Sequence, residues 1–217
     1  MSTMSRMLKQ CRKPAGWVGR SVAWGMNLSH SKVTNWGLSR ISIGENATVL
    51  DIGCGGGGTI QKLARIVIKG KIYGVDYSED SVRISQYANK AAIRAGRVEI
   101  RQGLVSSLSF PKDMFDLITA IETHYFWPDL VNDMKEVLRV LKPAGTLIMI
   151  GGEYKGGRYD QRNQKWVELG NMTYLTVNEI KRLFSDAGYV EVQVFEDYDR
   201  GWICGSGKKS KQFLPGQ

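Results

Sequence analysis

A short apolar stretch that runs directly into a cluster of glycines constrains this chain more than any other feature. Residues 49–52 have the composition of a buried strand, glycines occupy five of the six positions in 53–58, and a helical period follows. Glycines permit positive φ and let a ligand approach the backbone with no Cβ in the way. A helix start presents unpaired N–H groups. The stretch therefore predicts a strand, a tight bend and a helix that together hold a cofactor.

Short apolar runs alternate with helical periods from about residue 45 onward, which is typical of a parallel sheet covered by helices on both faces. The connection between the last two runs is short and polar, so these two runs are predicted to form a hairpin and the final strand to be antiparallel. Together these patterns predict an α/β fold with a seven-stranded, mostly parallel sheet. The expected strands are 48–52, 71–75, 97–100, 115–121, 146–150, 190–195 and 201–204.

Three segments are expected along the chain. Residues 1–44 contain seven basic side chains, several tryptophans and no acidic residue, and they are predicted to form a helical lid over the ligand. Residues 45–205 form the main domain, with an insertion at about 151–175. Residues 206–217 are expected to be a basic tail. An insertion that follows a strand end lies over the crevice where open α/β sheets bind ligands.

The formal net charge of +9 at pH 7 is concentrated at the two ends of the chain. It is compatible with an anionic small-molecule substrate, nucleic acid or a membrane surface, and equally with ordinary solubilising termini. No apolar run approaches the ~20 residues that a membrane span needs. The three cysteines are far apart and lack C-x-x-C spacing, so neither disulfides nor a metal site is expected, and a cytoplasmic location is predicted.

Two acidic residues at strand ends bear on the identity of the cofactor. The spacing of Gly53, Gly55 and Gly58 also matches the dinucleotide fingerprint, so the glycines alone leave NAD open. Asp51 at the mouth of the bend would repel a pyrophosphate and attract a ligand that carries an ammonium and a sulfonium, such as S-adenosylmethionine. Asp76 could accept hydrogen bonds from both ribose hydroxyls of either cofactor.

Four motifs give the chain a resemblance to a known family. They are Val49-Leu50-Asp51-Ile52-Gly53-Cys54-Gly55, Gly74-Val75-Asp76-Tyr77-Ser78, Phe115-Asp116-Leu117-Ile118 and Arg139-Val140-Leu141-Lys142-Pro143-Ala144-Gly145-Thr146. Over residues 45–205 the chain resembles the class I, Rossmann-like S-adenosylmethionine-dependent methyltransferases, in the small-molecule branch that includes the quinone-biosynthesis enzymes. The resemblance implies direct in-line methyl transfer to a small acceptor, with S-adenosyl-L-homocysteine as the second product.

The motifs also suggest which residues contact the cofactor. One departure from the family pattern is that Gly103 is followed by Leu104 rather than by an acid, so the adenine amino group needs another acceptor, such as Ser106 or Ser107. A backbone N–H near Val105 could still bind the ring. The expected cofactor-binding residues are Asp51, Gly53, Cys54, Gly55, Gly57, Asp76, Tyr77, Ser78, Gly103, Leu104, Val105, Ile121 and Glu122.

Catalytic candidates follow the fourth strand, in residues 120–128. His124 could act as a general base, because its ordinary pKa is near ~6.5. Tyr125 and Glu122 could orient it or contact the cofactor, and His30 in the leading segment could reach the pocket from the lid.

The insertion is rich in aromatic and basic residues. Tyr154, Arg158, Tyr159 and Trp166 are expected to form the wall opposite the lid, with Arg158 available for a carboxylate or phosphate.

Two other functions remain open from the sequence. An NAD-dependent oxidoreductase fits the glycine spacing and Asp76, although Asp51 and the lack of a second substrate domain oppose it. A methyltransferase that acts on RNA or protein fits the basic ends, although no RNA-binding module is recognisable and a nucleic-acid partner is not expected.

Overall fold

The computed structural model describes residues 30–211. Strands and helices alternate along most of it. The strands are β1 (Thr48–Ile52), β2 (Lys71–Asp76), β3 (Val98–Gln102), β4 (Phe115–Ile121), β5 (Leu141–Gly151), β6 (Val190–Asp197) and β7 (Trp202–Lys208). The helices are α1 (Ser31–Leu38), α2 (Gly58–Ile66), α3 (Glu79–Ala88), α4 (Lys90–Arg94), α5 (Leu130–Val140), α6 (Asp160–Gly170) and α7 (Val177–Asp186), with a 3-10 turn at His124–Phe126.

All seven strands form one sheet in the order β3-β2-β1-β4-β5-β7-β6. The β1–β2, β1–β4, β2–β3 and β4–β5 pairs are parallel, whereas β7 is antiparallel to both β5 and β6. The predicted mostly parallel sheet, the hairpin and the antiparallel last strand are confirmed. Because β2 and β4 flank β1, the strand order reverses beside β1, and the crevice at such a reversal is where open α/β sheets bind ligands.

The core has two layers, one on each face of the sheet. Successive strand residues point to opposite faces, so Val49 packs with α1, α2 and α3 while Leu50 packs with α5 and α7. Fully buried side chains fill both layers, for example Ile60 and Leu63 on one side and Met134 and Phe184 on the other. The sheet is therefore held rigidly beneath the crevice.

The helix signals of the sequence are largely realised. The Ser78 hydroxyl accepts a hydrogen bond from the Ser81 N–H and caps α3. Thr176 and Glu179 form the predicted capping box at the start of α7. Such caps satisfy the N–H groups that a helix start leaves unpaired.

The boundaries of the predicted segments change in three places. Helix α1 packs on the sheet, and a Cβ at Gly37 would lie 2.4 Å from Ile150 Cδ1, so this part of residues 1–44 belongs to the covering layer. Residues 1–29 lie outside the described residues, and a lid there stays a prediction. Strand β7 continues to Lys208 with Ser206 buried, so the boundary predicted at residue 205 is wrong.

The insertion at 151–175 contains helix α6, which the sequence analysis did not predict. None of the helices within residues 30–211 is long and apolar enough to cross a bilayer.

Candidate functional site

A large cavity lies at the carboxyl ends of β1, β2 and β4, where the strand order reverses. Its volume is about 720 Å³, which is within the ~300–1,000 Å³ typical of small-molecule sites. The glycine bend, the end of β2, the residue after β3 and the ends of β4 and β5 form its walls.

The glycine bend after β1 is held to β2 through its backbone. The N–H groups of Gly53 and Cys54 both donate to the carbonyl of Val75, at 2.7 and 3.1 Å. Gly53 has a φ of +70°, and a Cβ there would lie 2.1 Å from Thr123 Oγ1. Gly53, Cys54 and Gly55 line the cavity as predicted. Gly57 instead caps α2 and packs against α3.

Asp76 joins the bend to the end of β2. Its Oδ2 accepts the N–H of Gly55 and its Oδ1 accepts the N–H of Ser78, each at 2.9 Å. A carboxylate has about four lone-pair sites, so two remain for a ligand in the cavity that Asp76 lines. Burial raises the pKa of Asp76, and the two N–H donors oppose this rise. Ser78 is buried and serves as a helix cap, outside the cavity wall.

A flat, partly apolar slot adjoins Asp76. Tyr77, Gly103, Leu104 and Val105 line it, and the Leu104 side chain is 57% exposed there. Ser106 also reaches the cavity wall. Tyr77, Leu104 and Val105 are the residues predicted around an adenine ring. Ser106, the next residue in the sequence, supplies a polar side chain to the same cavity wall.

Asp51 does not lie where the sequence analysis expected it. Its carboxylate is 2% exposed and is not part of the cavity wall. Oδ1 accepts a hydrogen bond of 2.6 Å from the Thr119 hydroxyl, and Oδ2 has no partner among the described residues. Burial raises the pKa of Asp51 to about 7. Asp51 therefore lies behind the cavity wall rather than at the mouth of the bend, and its carboxylate is only partly ionised at neutral pH.

Two other carboxylates, those of Glu122 and Glu153, also line the cavity. Glu122 follows β4 at a φ of +55°, and its N–H donates to the Ile150 carbonyl. Its carboxylate accepts hydrogen bonds from the Gly152 N–H and the Tyr125 hydroxyl. Burial raises its pKa to about 7. Burial and the nearby charge of Glu122 raise the pKa of Glu153 to about 7 as well.

Tyr125 connects the Glu122 carboxylate to the backbone of Glu153. Its hydroxyl also accepts the N–H of Glu153 at 3.2 Å. A Cβ at Gly151 would lie 1.9 Å from the same oxygen, so the close approach of Tyr125 requires a glycine there. Tyr125, Glu122 and Glu153 thus form one connected group on the cavity wall, with Ile121 beside it.

His124 lies behind this group. Its ring stacks on that of Tyr125 at a centroid distance of 4.1 Å, and the side chain is buried outside the cavity wall. Burial lowers its pKa to about 4, so the imidazole is neutral at pH 7. The expectation that His124 meets the substrate as a base is corrected, because Tyr125 covers it.

His30 does line the cavity. Burial lowers its pKa, while the Glu153 charge opposes this effect.

The insertion supplies one wall, but through partly different residues from those predicted. Trp166 lines the cavity, whereas Arg158 pairs with Asp199 at 2.7 Å and the Tyr159 hydroxyl donates to the Asp199 carbonyl. Tyr154 is buried in the core and also lies away from the cavity. The expectation of Arg158 as an anion ligand is therefore wrong.

Several cavity residues were missed from the sequence. Arg162 and Asn163 lie one helical turn before Trp166 on α6, so the i, i+3, i+4 spacing would have grouped them had that helix been recognised. Glu153 follows β5 directly, and acidic residues at strand ends were the signal used elsewhere in the chain. The other missed residues are Thr34, Thr59, Lys62, Ser81 and Met172. The cavity also includes Thr123, Phe126, Trp127 and Pro128, which belong to the segment 120–128 where substrate contacts were expected.

A comparison with known families decides between the candidate cofactors. A family model described as a methyltransferase domain matches residues 50–149, the segment that contains the glycine bend, Asp76 and β4. This segment of the chain is similar to a methyltransferase domain. With the fold, this match confirms the predicted resemblance to class I methyltransferases, and it favours S-adenosylmethionine over NAD.

Similar proteins carry related names. The methyltransferase domain is similar to the sterol 24-C-methyltransferase erg6 of Aspergillus fumigatus, with 27% identity over 158 residues, 69% of this chain and 41% of that enzyme. It is also similar to the demethylmenaquinone methyltransferase of Geobacillus kaustophilus, with 24% identity over 182 residues, 72% of this chain and 76% of that enzyme. The chain thus spans less than half the length of the fungal relative.

A solved structure shares the fold. The phosphoethanolamine N-methyltransferase 2 of Haemonchus contortus, in complex with phosphomonomethylethanolamine and S-adenosylhomocysteine, superposes with a TM-score of 0.77 at 12% identity. The superposition covers 97% of this chain and 61% of that one.

Proposed function

We propose that this chain is an S-adenosylmethionine-dependent methyltransferase that transfers a methyl group directly to a small-molecule acceptor. The observation that carries the proposal is one cavity whose lining combines two chemically different sets of residues. One set is the glycine bend with Asp76, and the other is the Glu122, Tyr125 and Glu153 group with several aromatic side chains. Such a cavity can hold a nucleoside cofactor and a small acceptor side by side.

The residues of the glycine bend and of the end of β2 fit S-adenosylmethionine. The two free lone-pair sites of Asp76 suit the two ribose hydroxyls, and Tyr77 and Leu104 offer flat surfaces for an adenine. The glycine bend lets the methionine part lie close to the backbone at Gly53 and Gly55. When bound, the cofactor would supply a methyl group attached to a sulfonium. The nucleophile of the acceptor would attack this methyl carbon in line and displace the sulfur.

The chain contributes chiefly by placing the acceptor. Methyl transfer needs a free lone pair and a straight approach, and holding the two reactants in that geometry can supply ~7 kcal/mol or more of the barrier reduction. Trp127, which is 6% exposed, and Phe126 help to exclude water from the cavity. If the acceptor arrives protonated, the side chains placed to receive the proton are Glu122, Glu153 and His30 rather than His124.

The size of the cavity favours a small acceptor over RNA or protein. A volume of about 720 Å³ that must also hold the cofactor leaves room for a small molecule only. The names of the sterol and demethylmenaquinone relatives point to the same class. The anionic acceptor suggested by the net charge gains no support from the lining, because the carboxylates of Asp76, Glu122 and Glu153 offset the basic Lys62 and Arg162 there.

A cytoplasmic location remains our inference. It is supported by the free, buried thiols of Cys54 and Cys204, which suit a reducing compartment.

Two measurements test the proposed function. Calorimetric titration with S-adenosylhomocysteine and with NADH should give binding of the first and none of the second, and the reverse result would refute the proposal. Incubation with methyl-labelled S-adenosylmethionine and a metabolite extract should then place the label on a small molecule. Label on RNA or protein instead would favour the alternative acceptors.

A further inference from the structure

We propose that the acceptor is a cationic amine, which Glu153 and the aromatic wall beside it hold next to the cofactor. This inference rests on the proposed function and names the substrate class of the same cavity. It is carried by the position of Glu153, by the lack of an ion-pair partner for it among the described residues, and by the aromatic rings that line the same cavity.

Within the described residues, neither the Glu122 nor the Glu153 carboxylate is paired with a basic side chain. Among residues 30–211, no Lys, Arg or His nitrogen lies within salt-bridge distance of Glu122 or Glu153. Buried carboxylates are usually paired, since an isolated buried charge is costly. The two groups instead repel each other, and a cation entering the cavity would relieve this repulsion.

The nearest arginine is directed elsewhere. The Arg162 guanidinium lies over the Tyr159 ring, 4.4 Å from its centroid, and donates to Asn163 Oδ1 at 3.3 Å. It weakens the negative potential at Glu153 from a distance without forming an ion pair with it. The Glu153 oxygens therefore stay available to a ligand.

The two carboxylates are placed for different ligands. Glu122 precedes Thr123, whose side chain abuts Gly53, and the Glu122 carboxylate already accepts hydrogen bonds from the Gly152 N–H and the Tyr125 hydroxyl. Glu153 lies after β5 and interacts with His30 and Arg162, on the side of the cavity formed by α1 and α6. Glu153 is thus the carboxylate left for the acceptor.

Aromatic side chains add a second recognition element. Trp127 and Trp166 line the cavity together with Phe126 and Tyr125. The faces of such rings attract ammonium groups, and a tryptophan face does so most strongly. A carboxylate together with several rings is the combination that suits an amine. An anionic or neutral acceptor would leave the Glu153 carboxylate without a partner among the described residues.

The chemistry balances with Glu153 as proton acceptor. The ammonium gives one proton to the Glu153 carboxylate and regains its nitrogen lone pair. That lone pair forms the new N–C bond while the C–S bond breaks, and the bonding electrons pass to sulfur. The products are a methylated ammonium and neutral S-adenosylhomocysteine, and Glu153 then releases its proton to solvent.

The test uses the full chain saturated with S-adenosylhomocysteine, so that the cofactor site is filled. Tetramethylammonium, which cannot accept a methyl group, is titrated at constant ionic strength, and tert-butanol of similar size serves as the neutral probe. We expect tetramethylammonium to bind at least ~10-fold more tightly than tert-butanol. The E153Q variant should lose at least ~10-fold of that preference while its affinity for S-adenosylhomocysteine is unchanged.

Two further variants make the result decisive. E168Q changes an exposed glutamate on α6 and should leave both affinities unaltered. Trp166→Leu should also weaken tetramethylammonium binding, which covers the case in which E153Q fails to fold. Equal binding of the two probes, or a preference that survives both E153Q and Trp166→Leu, would overturn the inference. Absence of S-adenosylhomocysteine binding would instead refute the proposed function. In that case the titration with tetramethylammonium and tert-butanol alone would still test whether Glu153 binds a cation.

Discussion

The carboxylate of Asp76 accepts the backbone N–H of Gly55 at 2.9 Å, so the residue at the end of β2 fixes the shape of the glycine bend that follows β1. The same side chain lines the cavity and keeps two lone-pair sites for a ligand. One residue thus shapes the bend and is proposed to bind the cofactor, which makes it the most informative position to change.

Replacing Asp76 by alanine should weaken S-adenosylhomocysteine binding at least ~10-fold, because hydrogen bonds to a charged group are lost and the bend loses its anchor. Calorimetric titration measures the affinity. Asp186→Ala removes an exposed aspartate at the end of α7 and should leave the affinity unchanged. Equal affinity of the Asp76 variant and the original chain would remove Asp76 from the proposed cofactor site.

Replacing Asp51 by asparagine should leave S-adenosylhomocysteine affinity within a few-fold of the original, because Asp51 lies outside the cavity wall and its Oδ1 bonds Thr119. A large loss of affinity would restore the electrostatic role expected from the sequence.

The same substitution should change how stability depends on pH. The pKa of Asp51 is raised to about 7 in the folded chain, so its contribution is complete near pH 4 and is lost as the pH rises through 7. Between pH 5 and 8 the Asp51→Asn variant should therefore gain roughly 2–3 kcal/mol of unfolding free energy relative to the original chain. Chemical denaturation at both pH values measures the gain, and parallel pH curves would contradict this assignment.

Replacing His124 by phenylalanine should have the opposite dependence. The pKa of His124 is lowered to about 4, so its contribution to stability is complete above pH 6.5 and is lost as the pH falls toward 4. Between pH 6.5 and 4.5 the original chain should lose roughly 2–3 kcal/mol more unfolding free energy than the variant. Denaturation curves across this range measure the difference.

Measurement of kcat distinguishes a structural role of His124 from a role as general base. Because His124 lies behind Tyr125, the His124→Phe variant should keep kcat within a few-fold and retain the shape of its pH profile. Loss of the limb that reports a general base would instead give His124 the catalytic role expected from the sequence.

Two glycines with nearly equal φ values allow the steric cost of a Cβ at the glycine bend to be separated from the cost of the left-handed backbone conformation. Gly53 and Gly96 have φ values of +70° and +72°, but a Cβ at Gly53 would meet Thr123 whereas one at Gly96 would meet nothing within 4 Å. Gly96→Ala should cost only the left-handed conformation, ~1–2 kcal/mol. Gly53→Ala should cost at least ~1 kcal/mol more and should also weaken S-adenosylhomocysteine binding. Equal stability losses in denaturation experiments would contradict the close approach.

Local signals carried most of the fold prediction. The β1 and β4 bounds agree with the sequence analysis, since continuous apolar runs bounded by glycine or polar residues specify buried parallel strands. Ser78 and Thr176 act as helix caps because their hydroxyls bond N–H groups only three residues away. Such features depend on neighbours in the sequence, and the sequence therefore reveals them.

Packing across the fold was harder to predict. The helical period favours Ile84, Tyr87 and Ala88 as the buried face of α3, yet Tyr87 is 70% exposed and the buried positions include Ser81 and Ser85. The reason is contact with the glycine bend. Atoms of Ser85 lie 2.5 Å from where a Cβ on Gly57 would be, and only small side chains permit that approach.

The candidate site shows the same limit. Asp76 and Gly53 were predicted from motifs, whereas the burial of Asp51 depends on its pairing with Thr119 on β4, 68 residues away. Arg162 lines the cavity because it lies on helix α6, whose side chains are mostly exposed. The sequence of this helix therefore lacks the apolar stripe from which a helix is predicted.

The position of β7 between β5 and β6 has a consequence for synthesis of the chain. Both neighbours keep an open edge until residues 202–208 arrive, because β7 hydrogen-bonds to each of them. A nascent chain on the ribosome would therefore display two unsatisfied edges until its last strand emerges, and premature termination before residue 202 would leave a product prone to self-association through them.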